Sequence, residues 1–260
     1  MHIATRRKRY RESRLRKLMY TPYILCPPPL PLREIHVEVC GDVWTASAEY
    51  DALVESVWAK MRVEQSLWDG DYYRVVDPTE ISCGVGVRLG IIPYRYIATY
   101  PRLHEQHMRY GLKALHHLST AALVRSSDGF YAFGKRARNG MVDLLGGGVQ
   151  PKELTVACGA DLESNLYKEI LEEAGLRRPD VEELTGIGVV VSGTSNVILM
   201  ALVHLKIGCG EIEEQFSART EDEMAELVFV PEMELQRYLD EMADYRKLIS
   251  TLLQRRQTAR

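Results

Sequence analysis

The chain has 260 residues, 46% of them hydrophobic and 27% charged, and its 33 Lys and Arg against 36 Asp and Glu leave a formal net charge of −3. That length supports a sizeable core and permits one large domain or two small ones, while the nearly balanced charge excludes a global pull toward nucleic acid. A helical bilayer span, which needs ~18 consecutive apolar residues, is also excluded: the best stretch, residues 188–205, is broken by Ser192-Gly193-Thr194-Ser195-Asn196 and reads as two strands joined by a turn.

Residues 1–20 carry Arg6, Arg7, Lys8, Arg9, Arg11, Arg14, Arg16 and Lys17 against Glu12 alone. The plain reading is a solvated basic arm. An organelle transit peptide and an arm that steers RNA or DNA are sharper ones, and the lack of interleaved aromatics weighs against nucleic acid as a partner. Pro27-Pro28-Pro29 and Pro31 make residues 26–32 a stiff extended linker, so residues 1–33 read as arm and linker.

Residues 34–118 follow as a smaller α+β region. It holds a strand at 36–40, a turn at Gly41-Asp42, a helix at 48–60 with Tyr50, Leu53, Val54, Val57 and Trp58 inward, and strands at 72–76 and 84–89. The run Gly84-Val85-Gly86-Val87-Arg88-Leu89-Gly90 has the wrong spacing for a dinucleotide loop, and no helix is expected after it. A second domain, residues 119–260, opens with a hairpin of strands at 120–125 and 130–135 about Asp128-Gly129. A strand at 141–145 then delivers the chain to Gly146-Gly147-Gly148. Beyond a helix come strands near 188–191, 197–206 and 226–230 and helices at 232–242 and 244–255. Cys26, Cys40, Cys83, Cys158 and Cys209 are widely spaced and form no C-x-x-C pair, so they are read as reduced, with neither a disulfide framework nor a zinc site. His104, His107, His116 and His117 are read as structural.

The helix after the glycines carries the chemistry. Glu169, Glu172 and Glu173 stand at the i, i+3, i+4 spacing, where like charges cost about 0.2–0.5 kcal/mol per pair. Leu162, Leu166, Ile170 and Ala174 form its apolar stripe; Glu173 projects between Leu166 and Ile170, and Glu169 flanks them. Carboxylates pressed toward a core edge need compensation, and a hard divalent cation supplies it. Asp161 is the expected N-cap, with Gly175 and then Pro179 as the stop.

The run Lys168-Glu169-Ile170-Leu171-Glu172-Glu173-Ala174-Gly175-Leu176 resembles the end of the Nudix box, R-E-U-x-E-E-x-G-U with U apolar, and Gly146-Gly147-Gly148-Val149-Gln150-Pro151-Lys152-Glu153 resembles its opening glycine loop. Lys168 replaces the usual Arg, losing the planar fork that holds a carboxylate. The spacing from Glu153 to Lys168 is seven residues longer than the box prescribes, which puts Ala160 at the prescribed position. Either Glu153 keeps its role across an insertion or that Glu is missing. Upstream, Val57-Trp58, Leu67-Trp68-Asp69-Gly70, Tyr73-Arg74, Arg88-Leu89-Gly90 and Tyr94-Arg95 through Thr99 resemble the N-terminal region of the UDP-sugar diphosphatase branch, whose members also carry a stretched box.

The resemblance implies an α/β/α sandwich with a mixed sheet, preceded by the smaller α+β region. It implies Mg²⁺ or Mn²⁺ held by Glu169, Glu172, Glu173 and the carbonyl of Gly147. It also implies hydrolysis of a UDP-sugar to UMP and sugar 1-phosphate; the alternatives are ADP-ribose or another nucleotide diphosphate, and a non-catalytic Nudix-fold binding protein. Glu223, in the acidic cluster with Glu221 and Asp222, occupies a place where some Nudix enzymes keep a further glutamate. Arg136 and Arg138 suit a diphosphate, with a solvated loop as the bland reading. Tyr94 and Arg95 match the UDP-sugar relatives, with a packed Tyr and a surface Arg as theirs. Residues 192–196 form a polar tip near which a sugar is placed. The expected partner is a small-molecule nucleotide, in a cytoplasmic protein without a membrane segment, as a monomer or a homodimer.

Overall fold

Leu118–Arg125 and Val197–Leu205 are buried at almost every position, the pattern of strands covered on both faces. In the computed structural model, which describes residues 21–65, 67–81 and 86–258, these are strands β5 and β9. They pair in parallel from Leu118 opposite Val197 to Arg125 opposite His204. Around them the sheet runs β1 (Tyr23–Cys26), β8 (Val181–Val191), β9, β5, β6 (Phe130–Arg136), β10 (Met224–Pro231), with β7 (Val142–Asp143) also paired to β6. All these other pairings are antiparallel.

Alternation along the two central strands sends side chains to two cores. Ala122, Val124, Leu199, Ala201 and Val203 meet the stripe Leu162, Leu166, Ile170 and Ala174 of helix α3 (Gly159–Ala174). Each such large side chain, fully buried, contributes about 1.5–3 kcal/mol. On the other face Ala121, Leu123, Ile198, Met200 and Leu202 meet Leu235 and Leu239 of α5 (Leu235–Glu241) and Ile249 and Leu252 of α6 (Leu248–Thr258), the helices that follow α4 (Cys209–Ala218). This is the expected α/β/α sandwich with a mixed sheet.

A three-stranded sheet, β2 (His36–Val43), β4 (Gly86–Pro93), β3 (Asp71–Val75), lies before it in sequence, with β2 and β4 parallel. Val37, Tyr73, Val75, Val87 and Leu89 on one face join the α3 core. Trp44 and Ile92 join Tyr50 and Val54 of α1 (Ala48–Gln65) and Tyr96, Tyr100 and Leu103 of α2 (Tyr94–Arg109) in a separate cluster. The edge strand β3 is stitched to the glycine loop, the Tyr73 N–H donating to the Val149 carbonyl at 2.8 Å.

Several expectations are corrected. Residues 26–32 are no linker: β1 closes the edge of the main sheet, and Cys26, Leu30 and Leu32 are buried. Tyr23-Ile24-Leu25-Cys26 is a short apolar strand that the prolines after it obscured. β2 runs through Gly41-Asp42 to Val43 instead of turning there. A helix does follow β4, opening at Tyr94 behind Pro93. Helix α4 was not foreseen; Ile212 is its one buried residue, so its apolar signal is slight. Cys26 is disulfide-bonded rather than reduced. The basic arm, Cys83, and Gly84 and Val85 of the glycine-rich run lie outside the described residues.

Candidate metal and diphosphate site

The glycine loop is pinned to β5 by three hydrogen bonds: Ala122 N–H to Leu145 O at 2.7 Å, Thr120 N–H to Gly147 O at 3.0 Å and Val149 N–H to Leu118 O at 3.0 Å. Such close backbone approach needs glycine. At Gly146, φ is +152°, and a Cβ there would strike the Thr120 carbonyl; at Gly147 a Cβ would strike the Glu169 carboxylate. The loop therefore lies directly on the glutamates of α3, and the Gly146 N–H donates to Glu173 Oε2 at 2.6 Å.

Helix α3 begins one residue after Cys158, not at Asp161. Asp161 sits in the first turn and accepts the Ala157 and Cys158 N–H groups at 2.8 and 2.9 Å. Its far end is as expected, with Gly175 at φ +75° closing onto the Leu171 carbonyl at 2.8 Å.

Two of the three glutamates are pressed into the fold. Glu169 is 8% exposed and Glu173 3%, whereas the Glu172 side chain is 44% exposed. Desolvation raises the Glu169 carboxyl to about 7, against the pull of Lys168, and the Glu173 carboxyl to about 8, against the pull of Arg136 and the Gly146 N–H. Like-charged neighbours add to both: Glu172 and Glu223 for Glu169, Glu223 and Glu169 for Glu173.

A cation stands on either side. Lys168 Nζ is ion-paired with Glu153 and lies 3.2 Å from Glu169 and 3.5 Å from Glu172. The longer loop thus still brings Glu153 to the position-168 cation. Arg136 Nη1, at the end of β6, is ion-paired with Glu223 and lies 3.6 Å from Glu173. Glu223 is anchored through its own carbonyl, which accepts the Ala137 N–H at 2.8 Å. Arg136 and Glu223 therefore come to the glutamates, while Arg138 lies exposed in the next turn.

Arg95 is directed elsewhere. Its guanidinium binds Asp69 at 2.8 Å and Glu55 at 3.0 Å and packs over Tyr96, so its contacts are structural rather than those of a substrate ligand. Tyr94 is one ring removed from the site: it tilts against Tyr72 at 5.3 Å, and Tyr72 abuts Gly148. The Gly147 carbonyl, expected to ligate metal, spends one lone pair on Thr120, leaving one.

Four neighbours carry no signal in the sequence. Burial raises the Tyr72 phenol, with Tyr94, Glu153 and Glu169 adding to it. Asp143 of β7 accepts the Tyr245 hydroxyl at 2.9 Å and faces Arg246 Nη1 at 3.2 Å. Asp143 and Tyr245 both act electrostatically on Arg136, which ties that cation to the segment before α6. Asn165, fully buried one turn before Glu169, donates to Thr120 Oγ1 at 2.9 Å and leaves its Oδ1 without a hydrogen-bond partner. Only tertiary packing brings Tyr72, Asp143 and Tyr245 here.

The donor set suits a hard divalent cation: it is all oxygen, it holds two buried carboxylates that desolvation penalises, and an orphaned amide oxygen lies one turn away. Among the described residues, no group of three or more His, Cys, Asp or Glu side chains is already gathered into a metal cluster.

No family model matches the chain, and no curated protein matches it by sequence. Among solved structures it is similar to the MutT protein of Methanosarcina mazei, with 19% identity over 53% of this chain and 93% of that one at a TM-score of 0.37. It is also similar to an ADP-ribose pyrophosphatase of Streptococcus suis, with 18% identity over 56% of this chain and 92% of that one at a TM-score of 0.34. A bifunctional NMN adenylyltransferase/ADP-ribose pyrophosphatase of Francisella tularensis, complexed with AMP and a manganese ion, is 14% identical over 62% of this chain and 46% of that one, at a TM-score of 0.39.

Proposed function

We propose that this chain is a Nudix-type diphosphatase that hydrolyses a nucleoside diphosphate linked to a second moiety, with a UDP-sugar as the first substrate and UMP and sugar 1-phosphate as products. The observation that carries the reading is the glycine loop laid on two buried carboxylates, with Gly146 bound to Glu173 and Gly147 packed on Glu169. A fold buries such charge at a cost of several kcal/mol per ion unless it is compensated.

Glu169, Glu172 and Glu173 would hold Mg²⁺ or Mn²⁺, which when bound acidifies water and neutralises charge on the bridging phosphates. Arg136 supplies a guanidinium whose fork matches two phosphate oxygens, and Lys168 a second positive charge at the opposite side of the carboxylates. Glu223, ion-paired with Arg136, would serve as the base that takes a proton from water. Tyr72 packs against the glycine loop at Gly148.

The test is product analysis by liquid chromatography with UDP-glucose, UDP-galactose, ADP-ribose, NADH and nucleoside triphosphates in Mg²⁺ or Mn²⁺, beside the Glu172→Gln/Glu173→Gln double variant. UMP and sugar phosphate, lost in the variant, establish the reading. AMP and ribose phosphate from ADP-ribose alone would keep the diphosphate chemistry and replace the substrate. No turnover of any of them by folded protein overturns it.

A further inference from the structure

The chain has three tryptophans, and the fold treats them unequally: Trp44 is 8% exposed and Trp58 3%, but Trp68 is 52% exposed. Its position is held rigidly for an exposed side chain. Asp69, next to it, accepts the Arg95 N–H at 3.0 Å and pairs with the Arg95 guanidinium at 2.8 Å, and the Gly70 carbonyl accepts the Tyr94 N–H at 2.7 Å, so residues 69–70 are clamped to the start of α2. The indole lies back on Gly70, where any Cβ would run into the ring.

One face of the ring is thereby packed, and the Lys152 ammonium stands over the ring, 5.6 Å from its centroid. Lys152 precedes Glu153, whose carboxylate meets Lys168, which in turn lies 3.2 Å from Glu169. On the other side, Gly70 leads within two residues to Tyr72, the ring that abuts Gly148. Trp68 is thus joined to the rim of the carboxylate site by two short paths.

A fixed, half-exposed indole under a displaceable cation, beside a site suited to phosphate, matches a ligand with a flat aromatic end and an anionic end. We propose that Trp68 is the stacking platform for the nucleobase, and that the ammonium of Lys152 moves from the ring to the ligand's phosphate when the base arrives. The inference rests on the diphosphatase reading for its substrate class. Because every base has a π-face, stacking of this kind is tolerant of base identity; the platform selects a nucleotide over a bare phosphate and not uracil over adenine.

The experiment is a fluorescence titration of the full chain with UMP, AMP and ribose 5-phosphate, together with acrylamide quenching, in wild type, Trp68→Phe and Trp68→Ala. UMP and AMP are expected to quench the exposed tryptophan and shield it from acrylamide, with ribose 5-phosphate doing neither. Trp68→Ala, its Kd read by calorimetry, is expected to weaken UMP and AMP roughly 5- to 150-fold, leave ribose 5-phosphate unchanged, and be partly rescued in Trp68→Phe. Unshielded Trp68 in nucleotide-saturated wild type, or equal Kd values in wild type and Trp68→Ala, overturns the platform. Hydrolysis without shielding would remove the platform and leave the diphosphatase; shielding without hydrolysis would do the reverse.

Discussion

The carboxylate floor on α3 and the aromatic rim at Trp68 break the burial rule in opposite directions. The fold buries Glu169 and Glu173, at 8% and 3% exposure, and leaves out Trp68 at 52%. Charged groups are almost never fully buried without partners, and large rings are usually covered. Local rules are broken at functional sites more than elsewhere, and here both violations border one glycine loop. The floor concentrates charge that a cation can satisfy, whereas the rim offers a surface that a flat ring can satisfy. Between them they describe a ligand with two chemically different ends.

The strongest way to break the comparison is to neutralise the floor. Glu172→Gln/Glu173→Gln is expected to lower turnover of UDP-glucose in Mg²⁺ by on the order of 10³-fold, with circular dichroism unchanged. Gly147→Ala should follow, at about 10²-fold in kcat/KM, because its Cβ displaces the Glu169 carboxylate.

The floor also predicts a pH dependence of stability. A carboxylate raised on folding favours the protonated folded state, so its share of stability is complete below the ordinary value of 4.5 and is lost as pH rises toward about 7 for Glu169 and about 8 for Glu173. Metal-free protein should therefore lose several kcal/mol between pH 5 and pH 8.5, read as a falling Tm. Saturating Mg²⁺ should recover most of it at pH 8.5, and Glu173→Gln should flatten the profile. A profile that rises with pH in metal-free protein would sink this account.

The smallest effect tests the tie behind Arg136. Tyr245→Phe removes the donor to Asp143; it should cost about 1 kcal/mol of stability and raise KM for UDP-glucose roughly 2- to 10-fold, with kcat nearly unchanged, if the guanidinium serves binding. An equal fall in kcat with KM fixed would assign Arg136 to the chemical step instead.

Helix α3 was readable because its stripe repeats at the helical period and Gly175 marks its end. The β5–β6 hairpin was readable from Asp128-Gly129 between apolar runs. Strand β1 was not, because four apolar residues before prolines have no local signature and acquire one only by pairing with β8. The glutamates and Arg136 could be picked out by residue type and place. Tyr72, Asp143 and Tyr245 could not, since they reach the site from elements far apart in the chain. The pairing of Glu153 with Lys168 was open in the sequence for the same reason: spacing counts residues, whereas the ion pair depends on where the loop folds back.

Lys168 has a consequence for chemical reactivity. Burial would lower its ammonium, but the hydrogen bond it donates to Glu153 and the charges of Glu169 and Glu172 outweigh that and raise it. An amine attacks an acylating reagent only in its neutral form, so this side chain should be a poor nucleophile beside the exposed Lys152 and Lys206. In a timed reaction with an active ester at pH 8, peptide mapping should find Lys168 among the last lysines to be labelled, and Glu153→Gln should move it forward in that order.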